Sequence, residues 1–183
     1  GLELARRTGA EYVVPDGMDI AFQARQANDK DELASDVGLI RVLHTPGHTP
    51  EHLSFHVTDT AGADAPMGIA SGYFVFVGDV GRPDLLERAA KIAGTMEAGA
   101  KQLFHSLERF RALPDRVQVW PGHGAGSACG KSLGAVPTST VGYEKRFNWG
   151  VGTTSEQDFV TMVLAGQPDP PLYFAEMKRI NRD

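Results

Sequence analysis

Three short segments constrain this 183-residue chain more than anything else in it. They are His44-Thr45-Pro46-Gly47-His48-Thr49-Pro50, Gly78-Asp79-Val80-Gly81-Arg82-Pro83-Asp84 and Trp120-Pro121-Gly122-His123-Gly124. Each follows a strand-like stretch, and each carries a side chain able to ligate a metal. Strand ends that run into Gly/Pro turns are where α/β scaffolds present functional groups. Neutral imidazole and carboxylate suit zinc or non-haem iron, and two histidines plus one carboxylate form a facial set for Fe(II). Taken singly, each residue has a plainer reading. His48 could be one histidine of a surface loop, Asp79 a cap on a helix begun at Pro83, and His123 a residue of a tight glycine turn. Together the three segments favour a metal site built on His48, Asp79 and His123.

His44, His48 and His52 are spaced four apart, which on a helix would align all three. Pro46, Gly47 and Pro50 forbid that helix, so an HExxH-like pair is excluded and a turn must aim one imidazole inward. His48, between Gly47 and Thr49, is best placed for that. Arg82 either pairs with Asp84 or faces an anionic substrate group. His56 and His105 read as bland, the first pointing off the core face and the second lying off an apolar stripe. Cys129, beside Lys131, reads as a buried, inert thiol.

Around these segments the pattern alternates between strands and helices. A short helix over Leu2 to Arg7, stopped at Gly9, precedes a strand at Tyr12 to Val14 and a polar loop or hairpin tip over Asn28 to Asp36. Leu39 to Leu43, Leu53 to Val57, Tyr73 to Val77 and Val117 to Trp120 read as strands, the third apolar enough to be covered on both faces. Pro83 is expected at the first position of a helix whose Leu85, Ala89, Ile92 and Met96 share one face. Gly94 and Gly99 are expected to break it before a second helix with Leu103, Leu107 and Phe110 inward. Thr154 and Gln157 predict a capping box, and a last helix is expected over Tyr173 to Asn181. Strands layered with helices make this an α+β fold in one domain, residues 1–183.

The composition narrows the function. With 18 Lys and Arg against 23 Asp and Glu, the formal net charge is −5, which argues against a nucleic-acid or anionic-membrane surface. One cysteine excludes a disulfide framework and a thiolate-built metal cluster, so a reducing, cytoplasmic compartment is expected. The uncharged part of the chain's middle, through to Gly78, is too short and too glycine-rich to span a bilayer.

At these segments the chain resembles the metallo-β-lactamase superfamily, and within it the persulfide dioxygenase branch, including forms fused to a rhodanese domain. The resemblance is carried by Thr45 to Ser54, Val77 to Leu85, Trp120 to Gly130 and Ser139 to Asn148. The Pro-Gly-His and Gly-Asp pieces are shared across the superfamily, whereas Gly81 to Asp84 and the Ser139 to Asn148 segment are more particular to the branch. The resemblance implies an αββα sandwich, partial here because the family's first metal motif, His-x-His-x-Asp-His, is absent from this sequence. It also implies that residues 166–183 lead as a linker toward a rhodanese-like domain, fused or separate, and it leaves room for a homo-oligomer.

The implied reaction is oxidation of a low-molecular-weight thiol persulfide by O₂ to sulfite and free thiol. His48 and Asp79 would be two of three Fe(II) ligands, and His123 would line the pocket. Arg82 would orient substrate as a catalytic residue, and Lys145 or Arg146 would attract the anionic groups of the thiol carrier. A charged helix face explains Lys145 and Arg146 equally well. The alternative is a hydroxyacylglutathione hydrolase-like thioester hydrolase with two Zn(II) ions, Asp79 bridging them and His123 on the second. A third reading is an inactive fragment.

Overall fold

A computed structural model of the chain describes residues 1–36, 38–89, 92–127, 129–174, 176–177 and 180. Helix α1 (Leu2–Thr8) leads into strands β1 (Val13–Pro15), β2 (Arg25–Ala27), β3 (Glu32–Ser35), β4 (Gly38–His44), β5 (Leu53–Thr58) and β6 (Gly68–Gly72). Helices α2 (Leu85–Arg88) and α3 (Thr95–Arg111) cross over to β7 (Gln118–Pro121) and β8 (Ser139–Thr140). Three further helices follow, α4 (Val141–Phe147), α5 (Trp149–Gly152) and α6 (Glu156–Leu164). The sheet order is β3-β4-β5-β6-β7-β8, and β1 and β2 form a separate parallel pair. This is an α+β architecture in which, among the described residues, the second sheet amounts to two strands.

The core lies between the large sheet and the α3/α6 layer. Ile69 and Val119 of the sheet meet Leu103, Leu107 and Phe110 of α3 and Phe159 and Val163 of α6, all essentially without solvent contact. Helix α3 runs straight through Gly99 rather than breaking there. A glycine inside a helix costs about 1 kcal/mol against alanine, and each large apolar side chain buried returns about 2 kcal/mol. Gly99 is also a point of close approach, since a Cβ there would stand 3.0 Å from the Gly47 carbonyl oxygen.

Other expectations shift in register or length. The strand foreseen at Tyr73 to Val77 lies at Gly68–Gly72 instead, and the apolar run folds back as a buried turn closed by a Val75–Val80 bridge. Continuous apolarity reports burial without fixing the backbone conformation, and here the turn is what enters the core. Pro83 stands before α2, whose N-cap is Asp84, and this helix ends at Arg88, well short of Met96. Ser155, not Thr154, caps α6, accepting from the Asp158 N–H at 3.3 Å. On β5 the apolar side chains Leu53, Phe55 and Val57 are half-buried, while Ser54 and Thr58 are the buried ones. His56 is half-buried with them, and its Nε2 has no hydrogen-bond partner among the described residues. The last helix expected over Tyr173 to Asn181 falls partly outside the described residues, as does the expected linker over 166–183.

Candidate functional site

Topology brings the three loops that carry the candidate ligands to one edge of the sheet. Strand β4 pairs antiparallel with β5, β5 antiparallel with β6, and β6 parallel with β7. The C-terminal ends of β4, β6 and β7 therefore point the same way, and the loops that leave them are neighbours. Gly122 N–H bonds the Gly72 carbonyl at 2.8 Å, joining the second and third loops directly.

The first loop is non-helical, as its prolines require, and it lies on α3 through Gly47, whose φ of 145° and contact with Leu103 leave no room for a side chain. Its imidazoles have separate tasks. His44 Nε2–H donates to the Pro50 carbonyl at 2.7 Å and closes the loop. His52 is buried, with Nε2 accepting from the Tyr73 N–H at 3.0 Å and Nδ1 bonded to Thr45 Oγ1 at 2.9 Å. Thr45 continues to Ser54 at 2.8 Å. That chain satisfies the buried polar face of β5. Burial, with a smaller repulsion from His48, pushes His52 down to about 4, so it is neutral at pH 7.

His48 faces the other way. Its Nδ1–H donates to the backbone carbonyl of Arg82 at 3.0 Å, and no hydrogen bond engages Nε2 among the described residues. Metal-binding histidines are oriented in this manner, one nitrogen tied to an acceptor and the other left as a donor of electrons. Burial holds His48 below the ordinary imidazole range, the Arg82 carbonyl opposing this in part. Its ring stacks on Tyr73, with centroids 4.7 Å apart and planes within 6°. Tyr73 also meets the ring of His123 edge-on at 4.9 Å, so His48 and His123 line the same phenol. Burial, then the nearby Cys129, raises the Tyr73 hydroxyl above its usual range. Tyr73 was not legible as a site residue, because it looks like one more apolar member of its segment.

Asp79 is 1% exposed and fully engaged. Its Oδ1 accepts from Val80 N–H at 2.9 Å and Trp149 Nε1–H at 2.8 Å. Its Oδ2 accepts from Lys131 N–H and Ser132 N–H, both at 2.8 Å. The turn that aims it is braced by Asn148, whose amide donates to the Phe76 and Asp79 carbonyls, and by buried Glu144, which accepts from Gly78 N–H at 2.9 Å. The Ser139 to Asn148 segment is thus a strut for the second loop.

Of the two readings of Arg82, the structure shows pairing with Asp84. The guanidinium has no solvent contact and meets both carboxylate oxygens, at 2.9 and 2.7 Å. Lys145 is tied to the Leu113 carbonyl and Asp115 before β7, the end of that strand remote from His123. Arg146 lies over the exposed ring of Phe147. Neither is gathered to the loop edge by any contact among the described residues.

As it stands, the donor set does not fit a divalent cation. A carboxylate has about four acceptor positions, and all of those on Asp79 are taken. Among the described residues no group of three or more His, Cys, Asp and Glu side chains stands together so as to hold a metal. As arranged here, His48 is prepared for a metal and Asp79 is not. Among the same residues, no helix is long and apolar enough to cross a membrane.

Comparison with known proteins supplies the class. No protein-family model matches the chain. A metallo-β-lactamase structure from Staphylococcus aureus subsp. aureus COL is 46% identical, with a TM-score of 0.89 over 98% of this chain and 53% of that one. ETHE1 from Myxococcus xanthus is 25% identical, with a TM-score of 0.73 over 98% of this chain and 68% of its own. TTHA1623, solved in a di-iron-bound form, is 26% identical at a TM-score of 0.54, over 81% of this chain and 68% of that one. The hydroxyacylglutathione hydrolase of Chromohalobacter salexigens is 29% identical over 120 residues, 66% of this chain and 40% of that protein. The chain spans well under two thirds of the length of the curated relatives it matches.

The fold is the α+β metallo-β-lactamase fold. Sequence relatives and solved structures alike support membership of the metallo-β-lactamase superfamily, an enzyme superfamily that binds divalent zinc or iron.

Proposed function

We propose that the complete protein is a metal-dependent enzyme acting on a low-molecular-weight thiol derivative. The observation that carries this is the orientation of His48, its Nδ1–H committed to the Arg82 carbonyl and its Nε2 turned to the loop edge beside Tyr73 and His123. A divalent cation in such a site supplies Lewis acidity. Hydrolysis of an acylated thiol, such as an acylglutathione, is the reaction that the curated relatives support better, since several of them are hydroxyacylglutathione hydrolases. In that reading His123 joins a second metal position.

Persulfide oxidation by O₂ is the second reading. It is favoured by the likeness to ETHE1, which extends over 98% of this chain where the Chromohalobacter relative covers 66%. In that reading His48 and Asp79 hold one Fe(II) and His123 only lines the pocket.

Metal analysis and paired assays of the full-length protein separate the two. Two zinc ions per chain with thioester cleavage support the hydrolase. One iron per chain with persulfide-dependent O₂ uptake supports the dioxygenase. A protein that binds neither metal would sink both.

A further inference from the structure

We infer that the Tyr73 hydroxyl is a catalytic hydrogen-bond donor, placed to meet the carbonyl oxygen of an acylated thiol. This rests on the hydrolase reading above and adds to it a residue and a role. The loop after β6 was expected to serve the site through Asp79, but that carboxylate is buried and taken by four N–H donors. Tyr73 is the side chain that the same loop sets among the imidazoles. Its ring stacks on His48 at 4.7 Å and meets His123 edge-on at 4.9 Å and His52 at 6.3 Å.

The backbone fixes Tyr73 from both sides. Its N–H donates to Nε2 of buried His52 at 3.0 Å. Gly72, at φ 55°, lets the chain press onto that ring, since a Cβ there would stand 2.9 Å from the same nitrogen. Phe74, the next residue, is in the core, and its N–H donates to the Ser71 carbonyl at 2.9 Å. Tyr73 itself is 39% exposed, and no hydrogen bond engages its hydroxyl among the described residues. A phenol keeps its proton at neutral pH, so the hydroxyl is available to donate. A donor fixed beforehand needs no reorganisation when negative charge develops on a substrate oxygen.

In the step assigned to it, water adds to the carbonyl carbon and gives up a proton, and the C=O π pair moves onto oxygen. Tyr73 Oη–H donates a hydrogen bond to that oxyanion and keeps its proton. The pair then returns to re-form C=O, the C–S bond breaks, and sulfur leaves with the bonding electrons as a thiolate. The proton released by the water neutralises the thiolate. The products are a carboxylic acid and a free thiol.

Tyr73→Phe in the full-length protein, assayed with S-acetylglutathione, is the test. The substitution keeps the ring and its packing and removes the hydroxyl alone. A fall in kcat of about 10²–10³ with KM unchanged is expected, the effect of losing one oxyanion donor. The unfolding midpoint and the His48 Nδ1–H resonance should match those of the parent. An unchanged kcat, or a rise in KM alone, overturns the role of Tyr73 and leaves the hydrolase reading standing. So does a fall in kcat accompanied by loss of the His48 resonance, which would trace the effect to ring packing. A parent protein that does not cleave the thioester overturns the hydrolase reading and this inference with it.

Discussion

His48 and Arg82, 34 residues apart in sequence, are joined by one hydrogen bond from imidazole Nδ1–H to backbone carbonyl at 3.0 Å. It ties the loop after β4 to the loop after β6 and settles which nitrogen of His48 faces outward. Everything that positions either loop therefore bears on the site.

Gly47→Ala tests the first loop. The glycine has φ of 145°, and an added Cβ would lie 2.5 Å from Leu103 Cβ. The neighbour is helix, which cannot give way cheaply, so a loss of about 2 kcal/mol is expected. Urea denaturation checks it, and the downfield Nδ1–H resonance of His48 should vanish with the loop's displacement. Stability within about 0.5 kcal/mol of the parent would show that the loop tolerates a side chain.

Asp84→Asn tests the second loop. Removing the carboxylate that both Arg82 and Arg88 share takes the bidentate partner from a guanidinium with no solvent contact. Breaking a buried pair from one side costs about 3–5 kcal/mol, and a matching fall in unfolding free energy is expected. Burial pushes the Asp84 carboxyl up, but the Arg82 hydrogen bond and charge, helped by Arg88, hold it below its ordinary value. The stability this confers is present above about pH 4 and is lost as pH falls through the folded value. Acid titration of the variant should lack that component.

His52 predicts a separate pH response at milder acidity. Its imidazole ionises near 6.5 when unfolded and about 4 when folded. The unfolded chain then binds more protons between those values, so stability falls as pH drops from about 6.5 to about 4, by roughly 3 kcal/mol in all. His48, also lowered by burial, contributes in the same sense. Unfolding midpoints at pH 7, 5.5 and 4.5 measure the slope, and His52→Asn should flatten it. An unchanged slope in that variant would contradict the assignment.

Asn148→Ala removes the strut. Its Oδ1 caps α5 through Gly150 and Val151 N–H, and its amide group serves the Phe76 and Asp79 carbonyls and Glu144. Loss of the cap, about 1 kcal/mol, adds to that of acceptors left buried, about 1–3 kcal/mol. Faster amide exchange over residues 76–80 should accompany the fall. Normal protection there would mean the second loop is held by other contacts.

Much of the site was written locally. The alternation of Val117 to Trp120, the prolines that deny a helix to His44, His48 and His52, and the glycine turns around Asp79 and His123 are all short-range signals. The resemblance carried by those turns led to the fold. The substrate-facing role expected of Arg82, by contrast, turned on whether a cation two residues from a carboxylate meets solvent, which no local pattern specifies. Lys145 and Arg146 share that ambiguity, since a charged helix face looks alike whether it borders a cleft or plain solvent. Tyr73, Glu144 and Asn148 were unreadable as partners, because each acts on groups distant in sequence.

From its sequence alone this chain determined which loops carry imidazole and carboxylate, and that the first and third of them leave the ends of strands, because turn chemistry and strand period are properties of a few adjacent residues. Only the tertiary structure decided what those groups touch: His48 pinned through Nδ1, Arg82 sealed on Asp84, and Asp79 surrounded by four N–H donors. Burial and hydrogen-bond satisfaction are settled by whichever distant segments pack against a side chain, and strand pairing, not sequence spacing, selects those neighbours.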